Sequence, residues 1–259
     1  MIKTDKQQED FISTVSHELR TPLTSIRGFA QTMLSSWDGL DDESKKKFIQ
    51  IIEQQSNRLI NLVENMLSVN KLQSFKDKLI YKSVNANALI ETVIQFIKHQ
   101  YPNHNFETQF NKKIPQILVD TDKFQQIMTN LIENASKYSN EGTNITVVTD
   151  FSSSPDYVSI KVKDEGIGIK EEDFDKIFTK FSRLDNPLTR KIQGSGLGLY
   201  ITKTLVQKMN GKISVQSNDN GTTFEVLLPT ENVETQLKEA KSKKQKVKSR
   251  SGLTKGTAE

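Results

Sequence analysis

The chain has 259 residues, 34% of them hydrophobic and 26% charged, with no cysteine and a net charge of +4. That length suits about two domains with a sizeable core, and the composition excludes a wholly disordered chain, a disulfide framework, a thiolate nucleophile and Cys-ligated zinc. No apolar run approaches the roughly 18 residues of a membrane span. The positive charge is local: residues 231–259 hold eight Lys/Arg against four Asp/Glu, so the body is neutral. The sequence therefore predicts a disordered basic tail at 231–259, no nucleic-acid partner and a cytoplasmic protein.

From the N-terminus, Ile12, Val15, Leu19, Leu23, Ile26, Ala30, Met33 and Trp37 recur at steps of three and four, predicting one long amphipathic helix. At roughly 100° per residue, His17 lies about 200° from both Val15 and Leu19, so it faces water. An exposed imidazole with Glu18 beside it is a candidate nucleophile. Metal binding is disfavoured, because Ser13 and Thr21, one turn away, are poor ligands. Pro22 lacks the backbone donor for the Glu18 carbonyl and predicts a bend just after His17. Gly39 breaks this helix, and the acidic stretch 41–43 suits the start of the next.

In the second helix Phe48, Ile52, Gln55, Leu59, Leu62, Met66 and Val69 alternate steps of four and three, which is a heptad seam. Ile51, Val63 and Leu67 widen the stripe beyond what one partner helix covers. Two such hairpins pairing into a four-helix bundle would bury both faces, so a homodimer is expected.

After about Ser74 the pattern turns to mixed elements: a helix from Asn87 to about His99, strands at 106–110 and 117–119, and a helix from Thr121 to Tyr138. Strands at 145–151 and 157–162 follow, then a helix from about Tyr200 to Met209, then strands at 212–216 and 223–228 joined by the Asn220-Gly221 turn. This predicts an α+β sandwich with a mixed sheet behind the helical hairpin. The expected domains are 1–74, 75–230 and the tail 231–259.

Three patterns in the second domain carry chemistry. In NLIENASKY, Asn130, Asn134 and Lys137 share one helix face, and neutral amide oxygens beside an ammonium suit Mg²⁺ bridged to phosphates. In DEGIGI, Gly166 and Gly168 let the backbone turn beneath a flat ligand, and Asp164 at a strand end can accept the exocyclic amine of adenine. In GSGLGL, Gly194, Gly196 and Gly198, with Leu197 between them, let amides approach phosphate oxygens at a helix start. This is not the dinucleotide fingerprint, nor is it a Walker loop, which would need Lys-Ser/Thr after the glycines. Phe178 and Phe181 precede a polar, basic segment, 183–193, suited to a lid whose candidate phosphate contacts are Arg183, Arg190 and Lys191.

At these residues the chain resembles the sensor histidine kinases of two-component systems. FISTVSHELRTPL is similar to their H box, NLIENASKYS to the N box, DEGIGI and GSGLGL to the two glycine boxes and FDKIFTKFSR to the F box. The resemblance covers about residues 8–230. It implies a dimerisation and phosphotransfer hairpin followed by an ATP-binding domain of the gyrase, chaperone and mismatch-repair superfamily. His17 is then the phosphoacceptor, Glu18 its acid/base partner and Arg20 a conformational or phosphate contact. Asn134 would be the Mg²⁺ ligand, Lys137 and Tyr138 phosphate contacts and Asp164 the adenine reader. Asn130 stands where hydrolytic relatives carry a glutamate base, and Thr21 would position water for dephosphorylating a partner. The implied cofactors are ATP and Mg²⁺, and the implied partner is the receiver domain of a response regulator. Sixteen residues precede His17, so this sequence itself is expected to carry neither a sensor nor a membrane anchor. The alternative reading is a catalytically silent nucleotide-binding scaffold.

Overall fold

The structure, a computed structural model, describes residues 2–73, 78–184 and 194–231. Arg190, Lys191 and the tail from 232 onward lie outside the described residues. The chain divides into two compact units, residues 1–77 with 177–201 and residues 78–176 with 202–259. The sequence boundaries put 177–201 with the nucleotide domain, whereas by proximity this segment clusters with the hairpin.

The first unit is built on α1 (Ile2–Ser36) and α2 (Asp42–Gln73), joined through a 3₁₀ turn at Trp37–Gly39. The α-helix ends before Trp37, whose ring instead lies under the Lys45 ammonium at 4.8 Å from its centroid. The Asp41 carboxylate accepts from the Ser44 backbone N–H at 2.6 Å and so caps α2. That hydrogen bond holds its pKa below the usual carboxylate value. The seam buries Met33, Leu62, Val69 and Leu72, along with Gln55. Phe29 and Phe48 add a tilted aromatic pair with centroids 5.2 Å apart. α1 runs through Pro22 as one helix, so the proline costs a hydrogen bond without ending the element. Leu23, Leu34, Ile49, Ile60, Val63 and Leu67 remain exposed, an apolar surface that the two-helix seam does not cover.

The second unit centres on a five-stranded sheet of order β2-β4-β5-β7-β6. Its strands are β2 (Asn105–Phe110), β4 (Asn144–Phe151), β5 (Tyr157–Asp164), β6 (Lys212–Asn218) and β7 (Gly221–Pro229). β2 and β4 are parallel and the other pairs antiparallel, so the sheet is mixed as expected. Alternation in register buries Ile145 and Val147, Val158, Ile160 and Val162, and Phe224, Val226 and Leu228. α3 (Ala86–Gln100), capped by the Asn85 side chain, packs on β2, and α4 (Thr121–Tyr138) packs on β5. Their apolar faces, Ile90, Ile94 and Ile97 on one and Phe124, Ile127, Met128, Leu131 and Ile132 on the other, complete the core. A two-stranded ribbon of β1 (Tyr81–Val84) against β3 (Ile117–Asp120) forms a second, smaller sheet that packs on β7, with Ile117 bridged to Thr230. β1 has no counterpart in the sequence reading, because YKSV is short and its burial does not alternate.

Candidate active site

α1 presents His17 to solvent and leaves Glu18 partly buried. The missing N–H of Pro22 removes the usual donor for the Glu18 carbonyl. One residue earlier, the Thr21 hydroxyl donates to the His17 carbonyl at 3.3 Å. Glu18 points across the hairpin, its Oε2 lying 3.3 Å from Nη2 of Arg58 on α2, and its Oε1 is 3.8 Å from Nη1 of Arg183 in the same unit. Sequence reasoning missed Arg58, since it flanks the heptad seam and belongs to none of the five motifs. Arg20 and Thr21 are exposed near His17.

The rest of this unit carries the F-box end and the second glycine motif. Phe178 is buried, and Phe181 adopts a left-handed φ of 57° that a bulky residue rarely takes. Gly196, at φ 66°, explains the crowding: a Cβ there would meet the Phe181 backbone at 2.7 Å. Leu197 is fully buried, so its side chain anchors the loop in the core, and its N–H donates to Ser195 Oγ at 3.3 Å. α5 (Gly198–Lys208) starts at Gly198 rather than Tyr200. The glycines Gly194, Gly196 and Gly198 therefore form the approach to a helix N-terminus, where backbone amides face outward without intrahelical partners.

In the second unit, α4 sets its motif side chains at i, i+4 and i+7. Asn130 Nδ2 donates to Thr202 Oγ1 at 2.8 Å, which aims its amide oxygen away from that contact. Asn134 makes no side-chain hydrogen bond among the described residues. Lys137 is turned to Glu133, 2.7 Å from its Oε2, with the Tyr101 hydroxyl as a further favourable neighbour. Burial disfavours its charge, but Glu133 and Tyr101 more than offset this and push the Lys137 pKa above its ordinary value. The end of α4 is pinned to the first glycine motif: Ser139 bridges Gly166, and the Ile167 N–H donates to the Tyr138 carbonyl at 3.2 Å. Ser139 Oγ is buried there with no hydrogen-bond partner among the described residues.

Asp164 closes β5. Its Oδ1 accepts from the N–H groups of Gly166 at 2.9 Å and Thr222 at 3.0 Å. Burial outweighs both bonds and pushes its pKa up to about 6. A carboxylate this poorly solvated keeps acceptor capacity on Oδ2 for an incoming donor. Gly168, at φ 71°, lies so close to the Asn218 carbonyl that a Cβ would overlap it. Ser217 accepts from the Ile169 N–H at 2.8 Å and ties this loop to β6. Ser217 and Thr222 were not read from sequence, because they meet the loop only through the β6–β7 register.

No group of three or more His, Asp or Glu with metal-site geometry occurs among the described residues. Asn134 and Asn130 thus offer neutral oxygens, a donor set that fits a divalent cation arriving with phosphate charge rather than one held by the protein alone.

Two family models match the chain: the His Kinase A (phospho-acceptor) domain over residues 7–75 and the histidine kinase-, DNA gyrase B- and HSP90-like ATPase over residues 119–232. Sensor histidine kinase WalK of Bacillus subtilis is 34% identical over 88% of this chain and 37% of its own length. The histidine-protein kinase ArlS of Staphylococcus haemolyticus is 33% identical over 85% of this chain and 48% of its own. The chain thus spans about two-fifths to one half of these curated relatives. Histidine kinase ThkA, solved in complex with response regulator protein TrrA, superposes with a TM-score of 0.68 at 27% identity, over 85% of this chain and 61% of that one. Acinetobacter baumannii histidine kinase AdeS shares the fold at a TM-score of 0.65 and 22% identity, over 83% of this chain and 98% of its own.

Proposed function

The chain belongs to the two-component sensor histidine kinase family, and from that premise we propose that it transfers the γ-phosphoryl group of ATP to His17 and then to an aspartate of a response regulator. The observation that carries this reading is the pair on α1: an imidazole exposed to solvent and, next to it, a carboxylate drawn into an ion pair. An exposed ring can meet a phosphorus held by another domain, and the adjacent Glu18 carboxylate takes the proton it releases. His17 attacks in line through Nε2, the N–P bond forms as the P–O bond to ADP breaks, and the ring proton passes to Glu18. Catalysis is mostly positioning and charge stabilisation.

Asp164 receives the adenine amine, while Gly166 and Gly168 let the loop turn tightly against α4 and β6 beside the ring. Asn134, with the Asn130 oxygen, would hold Mg²⁺, which supplies neutralisation of the triphosphate. Lys137 and Tyr138 contact phosphate, and the amides at the start of α5 serve the same end. With a neutral amide at Asn130, no carboxylate is in place there to activate water, which favours transfer to histidine over hydrolysis.

The response-regulator complex of ThkA and the phospho-acceptor match support a receiver domain as partner, and the uncovered apolar surface of the hairpin supports a homodimer. Among the described residues no helix is long and apolar enough to cross a membrane. The work is proposed to take place in the cytoplasm. Thr21, near His17, serves dephosphorylation of the regulator.

Incubation with labelled Mg²⁺-ATP tests the reading. The expected product is a phosphoramidate stable in base and lost in acid, absent from His17→Gln, which still binds ATP. Label of unchanged amount on His17→Gln would overturn the assignment.

A further inference from the structure

We infer that Arg58 of α2 is a positioning residue for histidine phosphorylation, holding the Glu18 carboxylate in the orientation from which it takes the His17 proton. The inference rests on the kinase reading above. Arg58 is 40 residues from Glu18 in the chain and reaches it from the facing helix, with Nη2 3.3 Å from Oε2. The two side chains are only 23% and 22% exposed. A pair this sheltered from water is less screened than a surface ion pair, and losing one partner strands the other charge.

Local backbone does not supply the same constraint. Pro22 deletes the hydrogen bond that would anchor the Glu18 carbonyl, and the Thr21 hydroxyl is committed to the His17 carbonyl instead. Glu18 therefore sits at a gap in the α1 hydrogen-bond ladder, beside the residue that reacts. A clamp from α2 restores the fixity the helix lacks there. The second cation, Arg183, approaches the other oxygen at 3.8 Å, a looser contact than that of Arg58. Arg58 thus occupies Oε2, and the proton released as the N–P bond forms is accepted on Oε1. A guanidinium suits this role better than an ammonium, since its planar fork fixes the carboxylate plane as well as its distance.

Autophosphorylation kinetics with Mg²⁺-ATP decide it. Arg58→Met keeps the aliphatic packing and removes the charge. It is expected to lower kcat about tenfold, a fraction of what a general base contributes, with KM for ATP unchanged within about twofold. Arg58→Lys should recover part of the loss. In a Glu18→Gln background the same Arg58→Met change should cost less than about twofold, because its route of action is already gone. A kcat for Arg58→Met equal to wild type, or a full tenfold loss persisting in the Glu18→Gln background, would overturn the inference while His17 phosphorylation stood. A wild-type protein that forms no acid-labile label would instead overturn the kinase reading, and this inference with it.

Discussion

The two units hold their reactive groups by different means. On α1, His17 is exposed and its neighbour Glu18 is placed by side-chain ion pairs, to Arg58 across the helical seam and, more loosely, to Arg183. At the end of β5, Asp164 is placed by backbone N–H groups from its own loop and from β7, and that loop is pinned again to α4 through the Ser139–Gly166 bridge. Side-chain placement can be altered one residue at a time with the fold intact. Backbone placement ties the site to the sheet, so damage to one damages the other.

The sharpest way to break this contrast is Gly168→Ala. The residue is at φ 71° and a Cβ would overlap the Asn218 carbonyl. The strain and the clash are expected to cost about 2–3 kcal/mol of stability and to abolish nucleotide binding together. Urea unfolding and calorimetry with ATP read both. A variant that loses binding at wild-type stability would show that the loop is uncoupled from the sheet. His17→Gln should do the opposite, losing label without a change in melting temperature.

Asp164→Asn separates placement from charge. The amide oxygen can still accept from Gly166 and Thr222, but the amide nitrogen donates where adenine also donates. ATP affinity should fall at least about tenfold, measured by calorimetry, while stability at pH 7 rises. The sign follows from the pKa, raised by burial from 3.8 to about 6 in the folded protein. Between those values the folded state binds more protons than the unfolded one, so Asp164 favours folding at low pH and that contribution is lost as pH rises through about 6. The cost of keeping it charged at pH 7 is at most about 3 kcal/mol. Unfolding followed from pH 4.5 to 7.5 should show the variant's advantage shrink toward acid, and a constant gap would refute this. Nucleotide binding to wild type runs the other way, weakening as pH falls through about 6 because the acceptor becomes protonated.

The smallest structural effect belongs to Thr21→Ala, where one exposed 3.3 Å hydrogen bond is lost. Stability should change by less than about 0.5 kcal/mol. Autophosphorylation should persist and dephosphorylation of the regulator should fail, which a phosphorylated receiver domain would report. Loss of both activities would assign Thr21 to the helix bend rather than to water.

What could be read from sequence follows the same division. Helix periodicity carried the hairpin, the exposure of His17 and the span of α4 from Thr121 to Tyr138, because a 3.6-residue repeat is visible within one segment. Motif chemistry singled out Asp164, Gly166 and Asn134 as candidates. Arg58 and Thr222 were illegible, since each acquires meaning only from a partner 40 or 58 residues away. β1 was missed because a four-residue strand in a two-stranded ribbon has no buried face to impose alternation. The Glu133 and Tyr101 contacts of Lys137 were missed for a related reason. The helix face announces an ammonium but does not say what it rests against.

The strand order has a further consequence, in the order of synthesis. β5 is flanked in the sheet by β4, which precedes it, and by β7, the last strand, whose Gly221 lies far downstream of Asp164. On a growing chain the hairpin can close early, whereas β5 waits with one edge unpaired until nearly all of the domain has emerged. YVSIKV would be a hazardous edge if it were apolar throughout. Lys161 interrupts it and Lys163 follows it, and in the finished sheet Lys161 stands opposite Glu225 with its Nζ 3.4 Å from that carboxylate. The same lysine thus repels premature edge-to-edge pairing during translation and welcomes the correct strand once it arrives.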